Sequence, residues 1–276
     1  MSVDMKPEAG FNGVAPSGTA TIDLPTIGVY EQVTLIYGTA TAGGPTQANM
    51  EAEIKEIRVK LNGKVQRRIS AKQLFLLNAS YVNTPIMDGR LPIYLAEPHR
   101  RTAQGELALA WGMLNVNSFQ IEVDIDAGAN SPTLALKSIT RDAEMAITGI
   151  KKYRQFTMSA TAVGLFIWNN MPNHEPYSAI HFDTTDINNL KSYRDNKLDK
   201  DVNRDDLVQR MHDNRLNPQA GQTQVIYDAS RQVTDYLPMQ VGGVNGGRKV
   251  KSLRIEFDMA AATTFNALTE TVGPPD

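Results

Sequence analysis

The sequence predicts an all-β protein made of two β-sandwiches in tandem. Three observations predict it. Short runs of alternating apolar and polar residues, rich in β-branched and aromatic side chains, recur between turn residues. Stretches with helical spacing are few and short. The same order of runs also occurs twice along the chain, so each half reads as a complete domain.

The runs begin at Thr19–Leu24 (TATIDL) and Val29–Tyr37 (VYEQVTLIY). Ile54–Leu61 (IKEIRVKL) then meets Asn62-Gly63 and returns as Lys64–Ile69 (KVQRRI). An Asn-Gly pair between two such runs is a strong hairpin signal, because both central residues of a type I′ turn need positive φ. Ser70 offers an N-cap to a short helix carrying Ala71, Leu74 and Phe75. Leu91–Leu95 (LPIYL) and Ser118–Ile125 (SFQIEVDI) are further strands, whereas Ala103–Leu114 fits helix and strand equally. The longest apolar run, Ala162–Trp168 (AVGLFIW), reads as a strand buried on both faces. It is far short of the ~20 residues that a membrane-spanning helix needs.

Ser118–Ile125 returns as Ser252–Met259 (SLRIEFDM), displaced by 252 − 118 = 134 residues, with four of eight positions identical. The pairs Phe119/Leu253, Ile121/Ile255, Val123/Phe257 and Ile125/Met259 occupy one strand face in both copies. Asn62-Gly63 matches Asp195-Asn196 at a displacement of 133, with Val65 and Ile69 matching Leu198 and Val202. Leu74-Phe75 matches Leu207-Val208, in a second helical stretch Arg204–Asn214, also at 133. Ile93-Tyr94 aligns with Ile226-Tyr227 at 133, and Leu35-Ile36-Tyr37 with Phe166-Ile167-Trp168 at 131.

A repeat of this length is a domain and not a solenoid unit. The Gly/Asn/Ser/Pro stretch Asp126–Pro132 has linker character, so the expected domains are 15–128 and 129–276. Each holds about seven or eight strands and one short helix. The pattern alone leaves open whether the sandwiches wind as jelly rolls or immunoglobulin-like.

Composition excludes several functions. The 276 residues are 41% hydrophobic and 21% charged, enough for a real core. Lys+Arg 28 against Asp+Glu 30 gives a net charge of −2, which argues against a histone-like grip on nucleic acid. Cysteine is absent, so disulfides, thiol nucleophiles and zinc thiolates are out, and the composition fits a reducing compartment. The first eight residues, MSVDMKPE, contain no apolar core of a secretory signal, and none is expected.

No catalytic motif emerges: there is no G-x-S-x-G, H-E-x-x-H or Walker loop. The glycine-rich run Gly242–Gly247 precedes Arg248, Lys249 and Lys251, but it leads into a strand instead of a helix and reads as a hairpin loop. His99, His174, His181 and His212 lack metal-ligand spacing and read as surface or packing residues; His174-Glu175 reads as a solvated turn. Asp195, Asp199, Asp201, Asn203, Asp205 and Asp206 fall within twelve residues and present oxygen ligands for Ca²⁺. The loop lacks the turn glycine of an EF-hand, and Arg210 stands at its twelfth position counted from Asp199, so a solvated hairpin leading into a helix is the plainer reading. The basic pairs Arg67-Arg68, Arg100-Arg101 and Lys151-Lys152 lie in separate segments and read as solvated edges or inter-subunit salt bridges. No catalytic or cofactor-binding residue is assigned, and any metal ligands stay unknown.

Two stretches, EIKEIRVKLNGKVQRRISAKQLF (Glu53–Phe75) and GRLPIYLAEPHRRTAQGELALAWGML (Gly89–Leu114), resemble the coat protein of corticoviruses, marine bacteriophages with a membrane inside the shell. The duplicated sandwich with a helix after its central hairpin resembles double jelly-roll major capsid proteins more widely. The resemblance implies a double jelly roll of two eight-stranded sandwiches, each with a short helix. It implies a structural, non-enzymatic coat protein that forms homotrimers, pseudo-hexameric tiles of an icosahedral virion shell. Its implied partners are neighbouring capsomers, vertex proteins and membrane-associated virion proteins. The shell would lie over a lipid membrane without spanning it, be assembled in the host cytoplasm, and involve no sequence-specific nucleic acid binding. Calcium is associated with the family.

A tandem β-sandwich that binds or cleaves carbohydrate is the alternative. Trp111, Trp168 and nine tyrosines are its motivation, as surfaces for sugar stacking.

Overall fold

The computed structural model describes residues 3–82, 85–100, 102–230, 232, 235–241 and 247–276. Two compact units are present: Met1–Tyr153 with Pro274–Asp276, and Arg154–Gly273. The first contains β1 (Val3–Pro7), β2 (Thr19–Leu24), β3 (Val29–Gly38), α1 (Gln47–Glu53), β4 (Ile54–Leu61), β5 (Lys64–Ile69), α2 (Ala71–Tyr81), β6 (Arg90–Tyr94), α3 (Ala103–Leu107), β7 (Trp111–Gly112), β8 (Phe119–Ile125) and β9 (Thr133–Arg141). The strand β10 (Ile150–Ala160) begins in the first unit and continues into the second. There follow β11 (Gly164–Trp168), β12 (Tyr177–Phe182), β13 (Ile187–Arg194), β14 (Lys197–Asn203), α4 (Arg204–Asp213), β15 (Thr223–Ile226), β16 (Gln240–Val241), β17 (Arg248–Lys249), β18 (Leu253–Met259) and β19 (Thr263–Gly273).

The two units wind alike. In the first, one sheet has the order β1-β9-β3-β6, with the short β7 on β3, and the other has the order β2-β8-β4-β5. In the second, the orders are β10-β19-β12-β15 and β11-β18-β13-β14. Taking the eight main strands of each unit in chain order, the first, third, sixth and eighth form one sheet and the others form its partner. That is the jelly-roll winding, and it decides the question that the strand pattern left open.

The domain boundary departs from the expected 128/129. The connection Asp126–Pro132 is a turn inside the first sandwich: β9, which follows it, pairs antiparallel with β3 from Val29↔Arg141 to Gly38↔Thr133. The Asp126 carboxylate accepts from the Gly128 amide at 2.8 Å, closing that turn locally. The first unit also starts before residue 15, because β1 pairs with β9. Linker-like composition marks a turn as readily as a boundary, and only the partner of the next strand separates the two.

The duplication extends to backbone detail. Asn62 and Gly63 have φ of 49° and 77°, and Asp195 and Asn196 have 51° and 62°, so both hairpins turn through the left-handed region. The Asn62 side-chain oxygen accepts from the amides of Asn117 (2.7 Å) and Ser118 (3.2 Å). The Asp195 oxygen accepts from Lys251 (2.7 Å) and Ser252 (3.1 Å), the same positions in the copy. Register shifts fall at Ile54/Glu56 and Val59/Lys60 in the first unit and at Ile187/Asn189 and Ser192/Tyr193 in the second. Bulges at matching places bend both sheets alike. Each helix after the hairpin is capped by a side chain, in the first unit at the expected Ser70. Ser70 accepts from Gln73 N and completes a capping box, and Asn203 accepts from Asp206 N.

Two of the repeat alignments need correction. β3 corresponds to β12, not to β11: Tyr30 and Tyr177 stand at matching register shifts, and their hydroxyls donate to the carbonyls of Pro25 (2.9 Å) and Pro172 (2.6 Å). Leu35 is therefore the counterpart of Phe182, and Phe166–Trp168 belongs to the copy of β2. The displacement is larger here than further along because residues 39–53, which include α1, join β3 to β4, whereas residues 183–186 alone join β12 to β13. Ile93 corresponds to Val225 and not to Ile226, since Val33↔Ile93 matches Ile180↔Val225 across the two sheets. A one-residue slip would have turned the strand inside out.

Helix content also differs from one per half: among the described residues the first unit has three helices and the second has α4. Ala103–Leu114 divides into α3 and β7. The run Ala162–Trp168 is not buried on both faces. In β11, Phe166 and Trp168 pack on the second core, while Leu165 is 71% exposed.

Each core lies between its two sheets. In the first unit Val33, Leu35, Ile57, Val59, Ile121 and Val123 are wholly buried, and Phe119 meets Tyr30 edge-on at 5.1 Å. In the second, Phe166, Phe182, Phe257 and Phe265 form an aromatic cluster with centroids 5.2–6.2 Å apart. Aromatic pairs in such arrangements contribute ~0.5–1.5 kcal/mol each beyond the area they bury.

Candidate functional site

Among the described residues no group of three His, Cys, Asp or Glu is placed to hold a metal ion. The acidic segment is drawn apart by its local partners. Asp195 caps the β13–β14 turn and pairs with Arg248 at 2.7 Å. Asp199 pairs with Arg194, and Asp201 accepts from Asn189 at 2.8 Å. Asn203 is the cap of α4, whose first turn holds Asp205 and Asp206. Asp195, Asp199, Asp201 and Asn203 are each taken up by a partner of their own, and no three of the acids are grouped to hold one ion. The segment therefore does not fit a calcium ion within one chain.

The basic pairs are the main surprise. Arg68 is exposed and pairs with Glu56, as a solvated edge should. Arg67, Arg100, Lys151 and Lys152 are instead buried, which corrects the reading of all three pairs as solvated edges or inter-subunit bridges. Arg101 lies outside the described residues. The fold brings the buried cations together in the first unit. Glu97 takes Arg100 on one oxygen at 2.8 Å and Lys151 on the other at 2.7 Å. Burial pushes the Glu97 carboxyl up, but the charges of Lys151 and Arg100 outweigh it and hold it below the usual carboxylate range. Arg67 donates to the carbonyls of Lys151 (2.8 Å) and Tyr94 (2.6 Å). Its guanidinium lies between the Trp111 ring at 5.2 Å and the Tyr153 ring at 4.7 Å. Lys152 donates to Asp276 at 2.6 Å, and the Asp276 amide donates to Gln66 at 3.1 Å. This network is structural: Gln66, Arg67, Glu97, Arg100, Lys151 and Lys152 are all buried, and the exposed Asp276 closes it at the surface. Glu97 was missed because it stands alone in LAEPHRR; its spacing of three from Arg100 was the available sign.

The histidines fill packing and surface roles, as expected. His99 stacks on Tyr81, His174 and His212 are exposed, and buried His181 bonds to Glu270 at 2.6 Å and Gln224 at 2.9 Å. Glu175, in contrast, is not part of a solvated turn; it is buried and accepts from Thr271 at 2.8 Å. Trp111 and Trp168 are both buried and present no face to a sugar. Gly242–Asn245 and Gly246 lie outside the described residues, and the flanking β16 and β17 pair as a hairpin. No helix of the described residues is long and apolar enough to cross a membrane.

What the surface does carry is cross-strand order. On the outer face of β2, β8 and β4, Arg58 reaches Asp124 (2.6 Å), Glu122 (2.8 Å) and Glu56 (2.6 Å), and Lys60 also pairs with Glu122. The equivalent face of the second unit holds Arg254 on Glu256 and the exposed Leu165 and Ile167.

Two sandwiches of this winding in one chain define a double jelly-roll protein. Residues 5–144 match the family described as viral coat protein P2 N-terminal domain, and residues 150–275 match the viral coat protein P2 C-terminal domain. The chain belongs to this family of viral coat proteins and is a component of a virion capsid. Among solved structures it is similar to the major capsid protein P2 from bacteriophage PM2, with a TM-score of 0.86 and 18% identity, covering 100% of this chain and 98% of that one. It is also similar to the STIV MCP, with a TM-score of 0.68 and 10% identity over 100% of this chain and 98% of the other. A PBCV-1 virus capsid chain gives a TM-score of 0.68 at 7% identity, covering 98% of this chain and 93% of that one. No curated protein matches.

Proposed function

We propose that the protein forms homotrimers whose six jelly rolls make a pseudo-hexagonal tile, and that the tiles cover an icosahedral shell over an internal lipid membrane that they do not cross. The observation that carries this reading is the identical strand order of the two units. A head-to-tail pair of like domains gives a three-fold ring nearly six-fold edges, so one kind of tile can surround itself with copies. Neighbouring capsomers, vertex proteins and membrane-associated virion proteins would meet the tile at its edges and base, with assembly in the host cytoplasm.

The test is the mass of the purified chain by light scattering. The expected value is near three times 30.4 kDa. A monomer at every concentration, with calcium and with chelator, would overturn the proposal. The same series tests calcium, whose removal is expected to weaken association if ions are held between copies.

A further inference from the structure

We infer that the outer side of β11, together with Val163 before it, is a surface on which a second copy of this chain packs; the inference rests on the coat-protein reading. β11 is the end strand of its sheet. Val163 is 70% exposed, Leu165 71% and Ile167 39%. The jelly roll itself does not call for these residues, as the first unit shows. There the equivalent end strand is β2, and register places Thr19 opposite Asp124 as Leu165 lies opposite Asp258, and Thr21 opposite Glu122 as Ile167 lies opposite Glu256. The same outward positions are thus threonine in one copy and leucine or isoleucine in the other. Thr19 is also tied down, donating to Asp124 at 2.6 Å.

The backbone edges differ in the same sense. The free edge of β2 is covered by its own chain: Asn12 N donates to Thr21 O at 2.8 Å, and Thr21 N to Asn12 O at 2.9 Å. This is possible because residues 8–18 join β1 to β2. Residues 161–163 alone join β10 to β11 and cannot fold back along the strand. At the opposite end of the sheet, β14 carries Lys197, Asp199 and Asp201, charges of the kind that discourage strand addition. Among the described residues, one edge is covered by chain, another carries charges on both sides of the exposed Leu198, and β11 carries an apolar stripe with neither.

The surroundings say what kind of partner fits. Glu256 and Asp258 lie beside Ile167 and Leu165, with Arg254 on the same strand. Acids beside the stripe disfavour nucleic acid and anionic lipid. An apolar centre with a rim of both charge signs is the composition of a protein–protein contact. Three side chains cannot alone supply the ~800 Å² per partner of a stable interface. The stripe is therefore the dry centre of a wider contact, and in a closed ring every copy must offer such a surface to the next.

The test uses the full chain. L165T/I167T gives these positions the residues found at 19 and 21, preserving strand preference. It is expected to shift self-association to at least tenfold higher concentration, with far-ultraviolet circular dichroism of the free chain unchanged. Wild-type association in this variant overturns the inference and leaves the coat reading standing. A wild-type chain that never associates overturns both. A second measurement guards against misfolding. Because the chain contains no cysteine, Leu165→Cys introduces one thiol, and maleimide labelling reads its exposure. The thiol is expected to react in the free chain and be protected in the trimer. Equal labelling in both states overturns the inference, including where the stripe instead receives another virion protein after trimers form.

Discussion

Arg67 is buried within the first jelly roll, and its partners there are two carbonyl oxygens and two aromatic faces. A guanidinium suits this place because its planar fork meets both oxygens while its faces lie against the rings. Arg67→Ala would leave two carbonyls short of a donor and a cavity beside Trp111, at an expected ~3–5 kcal/mol. Arg67→Lys keeps the charge but not the fork or the stacking, and is expected to recover less than half of that loss. Urea denaturation of Trp168→Phe and its Arg67 variants, in which Trp111 is the sole tryptophan, would check both by fluorescence, and an unchanged midpoint in Arg67→Ala would refute the assignment. Nothing near Arg67 in the sequence separates it from exposed Arg68. Strand alternation places them on opposite faces, but which face is buried depends on Tyr153 and Lys151, more than eighty residues away.

At the scale of elements, the duplicated hairpin allows an internal comparison. Asn62 and Asp195 cap the same turn on the same pair of amides, but only Asp195 titrates. The Lys251 amide, with Ser252 and Arg248 assisting, holds the Asp195 carboxyl below its ordinary range. The folded state therefore favours the charged form, so its contribution is complete above the unfolded pKa and is lost as pH falls through the folded one. Amide exchange at Lys251 and Ser252 is expected to speed up, relative to Asn117 and Ser118, as pH falls from about 5 to about 3. Asp195→Asn should remove the difference; its persistence in that variant would show that the turn carboxylate is not the cause. The Asn62-Gly63 turn and the Ser70 cap were legible in the sequence because their chemistry spans four or five residues, whereas the bonds that Asn62 and Asp195 accept come from amides 55 and 56 residues further along and were not. The alignment of β3 was not, because the α1 insertion changes the displacement between copies, and short apolar matches cannot detect that.

At the scale of the whole molecule, the chain enters the first unit twice. Pro274–Asp276 return to the first unit after the second is complete. Removing residues 274–276 takes Asp276 from the buried amine of Lys152 and from Gln66, and is expected to destabilise the first jelly roll by ~3 kcal/mol. Hydrogen exchange should show the loss across β4, β5 and β8 before β12 or β18. Uniform loss in both units would count against that assignment. The boundary was misplaced in the sequence for the same reason that the tail was overlooked: membership of a unit is decided by partners, and composition records only the turns between them.

The strands at Thr19–Leu24, Val29–Tyr37, Ile54–Leu61, Lys64–Ile69 and Ser118–Ile125, the Asn62-Gly63 turn, the Ser70 cap and the tandem copy could be determined from sequence alone, since alternation and turn chemistry act among near neighbours and recur wherever the domain recurs. The winding of the sheets, the burial of Arg67, Arg100, Lys151 and Lys152, and the exposure of Leu165 were decided only by tertiary structure. Each depends on which distant segment covers a face, and a run of residues is the same whether that face meets protein or water.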